Sequence, residues 1–291
     1  MEIAYHFGAH STDEGRLMKA LLKNDRLLAK KGVVVPPPAS YRVPLRKAVE
    51  ALDGAPADQE MQDRLIDAMV EVDHPHRLVL FNENFITTVP RIFDGDTWYE
   101  NAGFRTAGLA NLFPSAETEV FMAIRNPATL LPALAARAPD GDYAQLMQGT
   151  DPMALRWSEV IARMRQDAPA VELTVWCNED TPLIWAQLLQ EIAGFEPMTK
   201  MDGQDDLLAE IMDEEGLARC REYLATRPPA TEMQRRRVIA AFLDKFAIED
   251  ELEETVDIPG WDEGTVEALT EIYDEDVYEI SRMPGVTLIA P

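Results

Sequence analysis

Four short apolar runs, each followed by segments with helical periodicity, leave this chain few architectures to choose from. The runs are Glu2 to Gly8, Arg77 to Asn82, Glu119 to Arg125 and Val171 to Cys177. Each is mostly apolar rather than cleanly alternating. Strands of that kind suit a parallel sheet covered by helices on both faces. Helical patterns lie between them, over Glu14 to Lys31, Pro44 to Leu52, Asp58 to Val72, Asn101 to Leu112, Leu130 to Arg137, Pro152 to Gln166 and Thr181 to Ala193. Such alternation predicts βαβ crossovers and a three-layer α/β/α domain over residues 1–200, with a central, mainly parallel sheet whose ligands sit at the carboxyl ends of the strands. After about Lys200 the pattern changes to helices alone: Leu207 to Thr226, Glu232 to Lys245 and Asp262 to Arg282. Residues 201–291 therefore read as a carboxyl-terminal helical extension packed on the same domain.

Charge narrows the partners. The 52 acidic residues against 27 basic ones give a net charge of −25. That field repels polyanions over roughly 8 Å at physiological salt, which argues against nucleic acid and against an anionic membrane surface. A small anion would need a local cluster of donors with Arg or Lys to overcome it. The run Glu249 to Glu254 reads as a solvated face, and Arg235-Arg236-Arg237 as a partner for nearby acids. Cys177 and Cys220 lie in apolar patterns and read as buried thiols. His6 and His10 fall four apart at a strand exit, and His74 and His76 flank Pro75 as a loop pair; neither pair has an evident third ligand, so no metal site is expected. The amino terminus has no leader pattern and no run approaches the roughly 18 apolar residues of a membrane span, from which a cytoplasmic location is expected.

The segment Tyr5-His6-Phe7-Gly8-Ala9-His10-Ser11-Thr12-Asp13-Glu14-Gly15-Arg16-Leu17 places a strand, a short polar loop and a helix start in the order used for phosphate capture. Backbone N–H groups and the helix dipole would face an oxyanion there. Ser11, Thr12 or Asp13 ahead of an apolar helix is equally an ordinary N-cap. Both readings stand at the level of sequence.

The chain resembles bacterial P-loop-type sulfotransferases, which use 3'-phosphoadenosine 5'-phosphosulfate as donor. Gly8, His10, Thr12 and Leu17 match the family's first loop, and Leu27-Leu28-Ala29-Lys30-Lys31-Gly32-Val33 with the prolines from Pro36 matches the family's next segment. Leu80-Phe81-Asn82-Glu83-Asn84-Phe85 is similar to a second strand ending in Glu. Phe121-Met122-Ala123-Ile124-Arg125-Asn126-Pro127 is similar to the strand whose Arg holds the donor's 3'-phosphate. Tyr273-Asp274-Glu275-Asp276-Val277 is similar to a helix near the family's carboxyl terminus. The resemblance implies a sheet of the P-loop nucleoside-triphosphatase type, a donor site on Ser11, Thr12, Asp13, Glu14, Gly15, Arg16 and Arg125, and Glu83 as base toward a small-molecule hydroxyl or amine acceptor, with His10 nearby.

The sequence also departs from that family. Ser11 stands for the loop Lys, Asp13 for a Gly, Glu14 for the first Thr and Gly15 for the second, and Ala133 replaces a Ser eight residues beyond the Arg. Like charges about 4 Å apart cost roughly 4 kcal/mol at an effective dielectric of 20, so Asp13 and Glu14 oppose a phosphosulfate. Arg16 and Lys19 are the nearest substitutes for the missing Lys. Arg125 reads as a 3'-phosphate ligand or as a structural cation, and Glu83 as a base or as a carboxylate capping the next helix. These residues leave two functions: sulfuryl transfer from 3'-phosphoadenosine 5'-phosphosulfate, or a sulfotransferase-like fold kept as a binding or assembly module.

Overall fold

The computed structural model describes residues 1–70, 75–94, 97–138, 141–252, 254 and 256–291. His74, Glu253 and the expected helix end at Val72 lie outside them. The strands are β1 (Glu2–His6), β2 (Val33–Val34), β3 (Arg77–Phe81), β4 (Phe93–Asp94), β5 (Thr97–Trp98), β6 (Glu117–Ile124), β7 (Glu172–Cys177) and β8 (Val286–Ile289). Six of them form one sheet in the order β2-β3-β1-β6-β7-β8, every neighbouring pair parallel. β4 and β5 make a separate antiparallel pair.

The helices are α1 (Arg16–Leu22), α2 (Asp25–Lys30), α3 (Pro38–Leu52), α4 (Gln59–Met69), α5 (Ala102–Asn111), α6 (Pro127–Arg137), α7 (Tyr143–Met147), α8 (Trp157–Asp167), α9 (Thr181–Ile192), α10 (Asp206–Ile211), α11 (Glu214–Thr226), α12 (Glu232–Phe246), α13 (Glu249–Leu252) and α14 (Glu263–Ile280). Together with the sheet they form the three-layer α/β/α fold that the alternation predicts.

Side chains of successive strand residues point to opposite faces, and the two faces fill two cores. Ile3, Tyr5, Leu78, Leu80, Val120 and Met122 enter one core with residues of α3, α5, α6, α8 and α14. Ala4, Val79, Phe81, Phe121, Ala123 and Trp176 enter the other with α1, α2 and α9. The helix leaving β1 thus packs on one face, while those leaving its neighbours β3 and β6 pack on the other. That divergence opens a crevice at the carboxyl end of β1, the position where open α/β sheets bind ligands.

Four expectations are corrected, the first being the single helix over Leu207 to Thr226, which is two, α10 and α11. The chain after Lys200 is not helical throughout, because Val286–Ile289 returns as β8 alongside β7. The single helix expected over Glu14 to Lys31 is two, α1 and α2. At the break Asn24, 6 % exposed, bonds the Ala20 carbonyl and both the carbonyl and N–H of Asp202, so a distant loop takes up the polar groups there. The helix expected from Pro44 starts at Pro38 and keeps Pro44 inside it. Tyr41 anchors that earlier turn: its buried hydroxyl donates to the Phe81 carbonyl (2.9 Å) and accepts from the Phe81 N–H (2.8 Å).

A third, smaller core of Leu208, Ile211, Met212, Leu217, Cys220 and Ile239 joins α10, α11 and α12. In the basic run, Arg235 pairs with Glu232 at 3.4 Å and Arg236 bonds Gln187 and the Ala290 carbonyl. No helix among the described residues is long and apolar enough to cross a membrane.

Candidate functional site

The loop from Phe7 to Gly15 leaves β1 and stays against the sheet: the N–H groups of Phe7 and Ala9 bond the carbonyls of Phe121 and Ala123. Four of its residues have positive φ: Gly8 (53°), Ser11 (58°), Glu14 (52°) and Gly15 (78°). Gly8 and Gly15 adopt this region at no steric cost, whereas Ser11 and Glu14 are strained by it. Such strain persists where surrounding contacts over-determine the backbone. At Ser11 they do. Arg125, from the end of β6, donates to the Ser11 carbonyl, and Arg137, the last residue of α6, donates to the Ser11 hydroxyl at 3.1 Å.

Asp13 decides what the loop offers to a ligand. Its carboxylate accepts the N–H of Gly15 (3.1 Å) and of Leu17 (3.0 Å), and its carbonyl accepts the Arg16 N–H (3.0 Å). These are the donors that an oxyanion at the start of α1 would use. Thr12 turns its hydroxyl inward to the Ala9 carbonyl at 2.7 Å. Arg16 points away, to Glu210 at 2.9 Å and Glu14 at 3.3 Å. Lys19 lines the loop's cavity, and its ammonium makes no hydrogen bond or ion pair among the described residues.

The structure brings Glu83 to the same place. That cavity, about 450 Å³, is lined by Gly8, Thr12, Asp13 and Glu14 from the loop and by Arg42, Glu83 and Arg137 opposite. Arg137 reaches both Glu83 carboxylate oxygens, one at 2.9 Å. Burial would raise the Glu83 carboxyl, but the hydrogen bonds and charge of Arg137 outweigh it and hold the group below the ordinary carboxylate range. A carboxylate so held stays ionised and is a weak proton acceptor. Arg125 is 9 % exposed; besides the Ser11 carbonyl it bonds Thr129 Oγ1 (3.1 Å) and Glu254 (2.7 Å). The acidic carboxyl-terminal run thus supplies the counter-ion for the cation nearest the loop.

His10 is fully buried, its ring between the Tyr99 hydroxyl (2.9 Å to Nδ1) and Asn84 Oδ1 (3.2 Å to Nε2). It fixes the loop from below. His6 is also buried, beside Phe81 and Trp176, with Nε2 unpartnered among the described residues. Burial keeps both imidazoles below the usual range, offset only in part by the Asp13 charge at His6 and the Asn84 bond at His10. The unfolded chain protonates these rings near pH 6.5 and the folded chain only lower, so the stability of the neutral pair is complete above that value and lost as pH falls toward the folded values. Each ring loses at most about 1.4 kcal/mol per pH unit in that window. Asp180, pushed up to about 6 by burial and by Glu179, acts oppositely: its cost is present above that pH and relieved below it. The readout is therefore a difference. Urea unfolding at about pH 7.5 and about pH 5.5 should show a smaller acid loss for His10→Gln than for the parent protein. Equal pH dependence in both would refute the assignment.

Of the residues singled out from the sequence, Thr12, Asp13, Glu14, Gly15 and Glu83 line the cavity at the β1 crevice; Ser11 is buried in the loop, Arg125 reaches its carbonyl but lines a separate cavity with Thr129 and Glu254, and Arg16 turns to α10. Arg137, Tyr99 and Asn84 complete the network and carry no local signal, since each depends on long-range packing. Among the described residues no group of three or more His, Cys, Asp or Glu is placed to hold a metal. Neither a family model nor a curated protein matches the chain.

Proposed function

We propose that the chain is a sulfotransferase-like α/β protein that works as a binding or assembly module, its donor loop closed by its own Asp13. The observation that carries this reading is the Asp13 carboxylate on the N–H groups of Gly15 and Leu17, where the donor's 5'-phosphate would have to lie. Support also comes from the cations. Arg137 is paired with Glu83, Arg125 with Glu254, and Arg16 with Glu14 and Glu210. Transfer of an anionic group relies on preorganised positive charge facing the developing anion, and here each of these guanidiniums already faces a carboxylate. The residues present do not fit 3'-phosphoadenosine 5'-phosphosulfate.

One observation favours the second reading, sulfuryl transfer: Glu83 and the loop line one cavity, and Arg125 bonds the loop at the Ser11 carbonyl. Calorimetric titration with 3'-phosphoadenosine 5'-phosphate separates the two. The closed-loop reading expects no saturable heat up to about 1 mM, some 4 kcal/mol of binding free energy. Micromolar binding abolished by Arg125→Ala would restore the transfer reading instead.

A further inference from the structure

A second and larger cavity, about 640 Å³, lies between α3, the segment leaving β3 and α5. Its volume is in the range of small-molecule sites, and it opens beside the carboxyl end of β3. Among the described residues four guanidiniums line it, Arg42 and Arg46 from α3, Arg91, and Arg105 from α5, and two carboxylates, Glu50, which pairs with Arg105 at 3.7 Å, and Asp94. The guanidiniums of Arg42, Arg46 and Arg91 have no hydrogen bond or ion pair among the described residues, in a chain with nearly two acids for every base. Arg16, Arg77, Arg125 and Arg137, by contrast, each face a carboxylate.

Arg42 and Arg46 are four apart on α3, and so share one helix face. Four cations gathered on a lining with two carboxylates repel one another, and a multivalent anion relieves that repulsion while finding forked donors that match its oxygens. Apolar side chains share the lining: Leu45 and Val49 from α3 itself, Phe85 from the β3 exit and Leu109 from α5 are each at most 8 % exposed. We infer that this cavity binds a phosphate monoester with an apolar body, the phosphate on Arg42, Arg46 and Arg91 and the body against Phe85 and Leu109. The site goes beyond the closed-loop reading and does not depend on it, because among the described residues the two cavities share only Arg42 and Asn82.

The probe is phenyl phosphate, titrated into the whole protein at low salt. Saturable binding is expected with a Kd of about 0.1–1 mM. Arg46→Met with Arg91→Met should weaken it roughly tenfold or more, and salt should weaken it too. Both substituted residues are exposed, and circular dichroism checks that the variant is folded. The charge-matched control is Arg26→Met with Lys30→Met on the exposed side of α2, which should leave binding unchanged. Inorganic phosphate, lacking the apolar body, should bind more weakly than phenyl phosphate. Absence of saturation by about 10 mM, equal losses in both double variants, or equal affinity for the two probes would each overturn the assignment.

Discussion

Replacing Arg77 with methionine should destabilise the protein by about 3–5 kcal/mol, the range for breaking a buried ion pair from one side. Arg77 opens β3 and is 2 % exposed. Its guanidinium lies across the amino ends of three strands, bonded to Glu2 of β1 (2.8 Å) and to Glu119 of β6. Its Nε donates to the Ile192 carbonyl at 3.0 Å, which ties the end of α9 to the sheet. Methionine keeps much of the apolar volume but strands two carboxylates and a carbonyl together. Urea unfolding measures the loss, and a change below about 1 kcal/mol would show that Glu2 and Glu119 rehydrate freely. The ion pair is no general gain over an apolar core; the prediction concerns removal of one partner only.

The second large effect is a gain. Asp13→Gly with Glu14→Asn should raise affinity for 3'-phosphoadenosine 5'-phosphate at least tenfold, about 1.4 kcal/mol. The change frees the Gly15 and Leu17 N–H groups and removes two negative charges from the cavity mouth. Threonine, the residue that the family resemblance suggests at position 14, is a poor choice, because Glu14 has φ 52° and a β-branched side chain resists that region. Asparagine tolerates it. The cost is a lost helix cap, about 1 kcal/mol of stability. An affinity unchanged by the pair would mean that the loop is not where the nucleotide would bind.

The sheet was legible because its central strands bury both faces, which leaves near-continuous apolar runs such as Arg77–Phe81 and Glu172–Cys177. β2 and β8 were not, being two and four residues long, β2 between two helices and β8 just after α14, whose periodicity dominates the local pattern. The break between α1 and α2 was hidden for another reason: Asn24 finds its partner 178 residues away. At the site, both sequence readings of the loop were partly visible, since an N-cap and an anion cradle use the same donors, and only geometry shows Asp13 taking them. The Glu83–Arg137 pair spans 54 residues and has no periodic signature. Arg42 and Arg46 were hidden as a pair because the helix expected from Pro44 left Arg42 outside it, and the cavity they line depends on α5 and the β3 exit.

The central claim is that the amino end of α1 is already occupied by the protein's own carboxylate. A crystal of the unmodified protein soaked in 3'-phosphoadenosine 5'-phosphate tests it directly. The expected result is Asp13 still bonded to the N–H groups of Gly15 and Leu17, with no nucleotide between Gly8 and Gly15. Nucleotide seated there, with Asp13 swung out and Arg125 on its 3'-phosphate, would contradict the account.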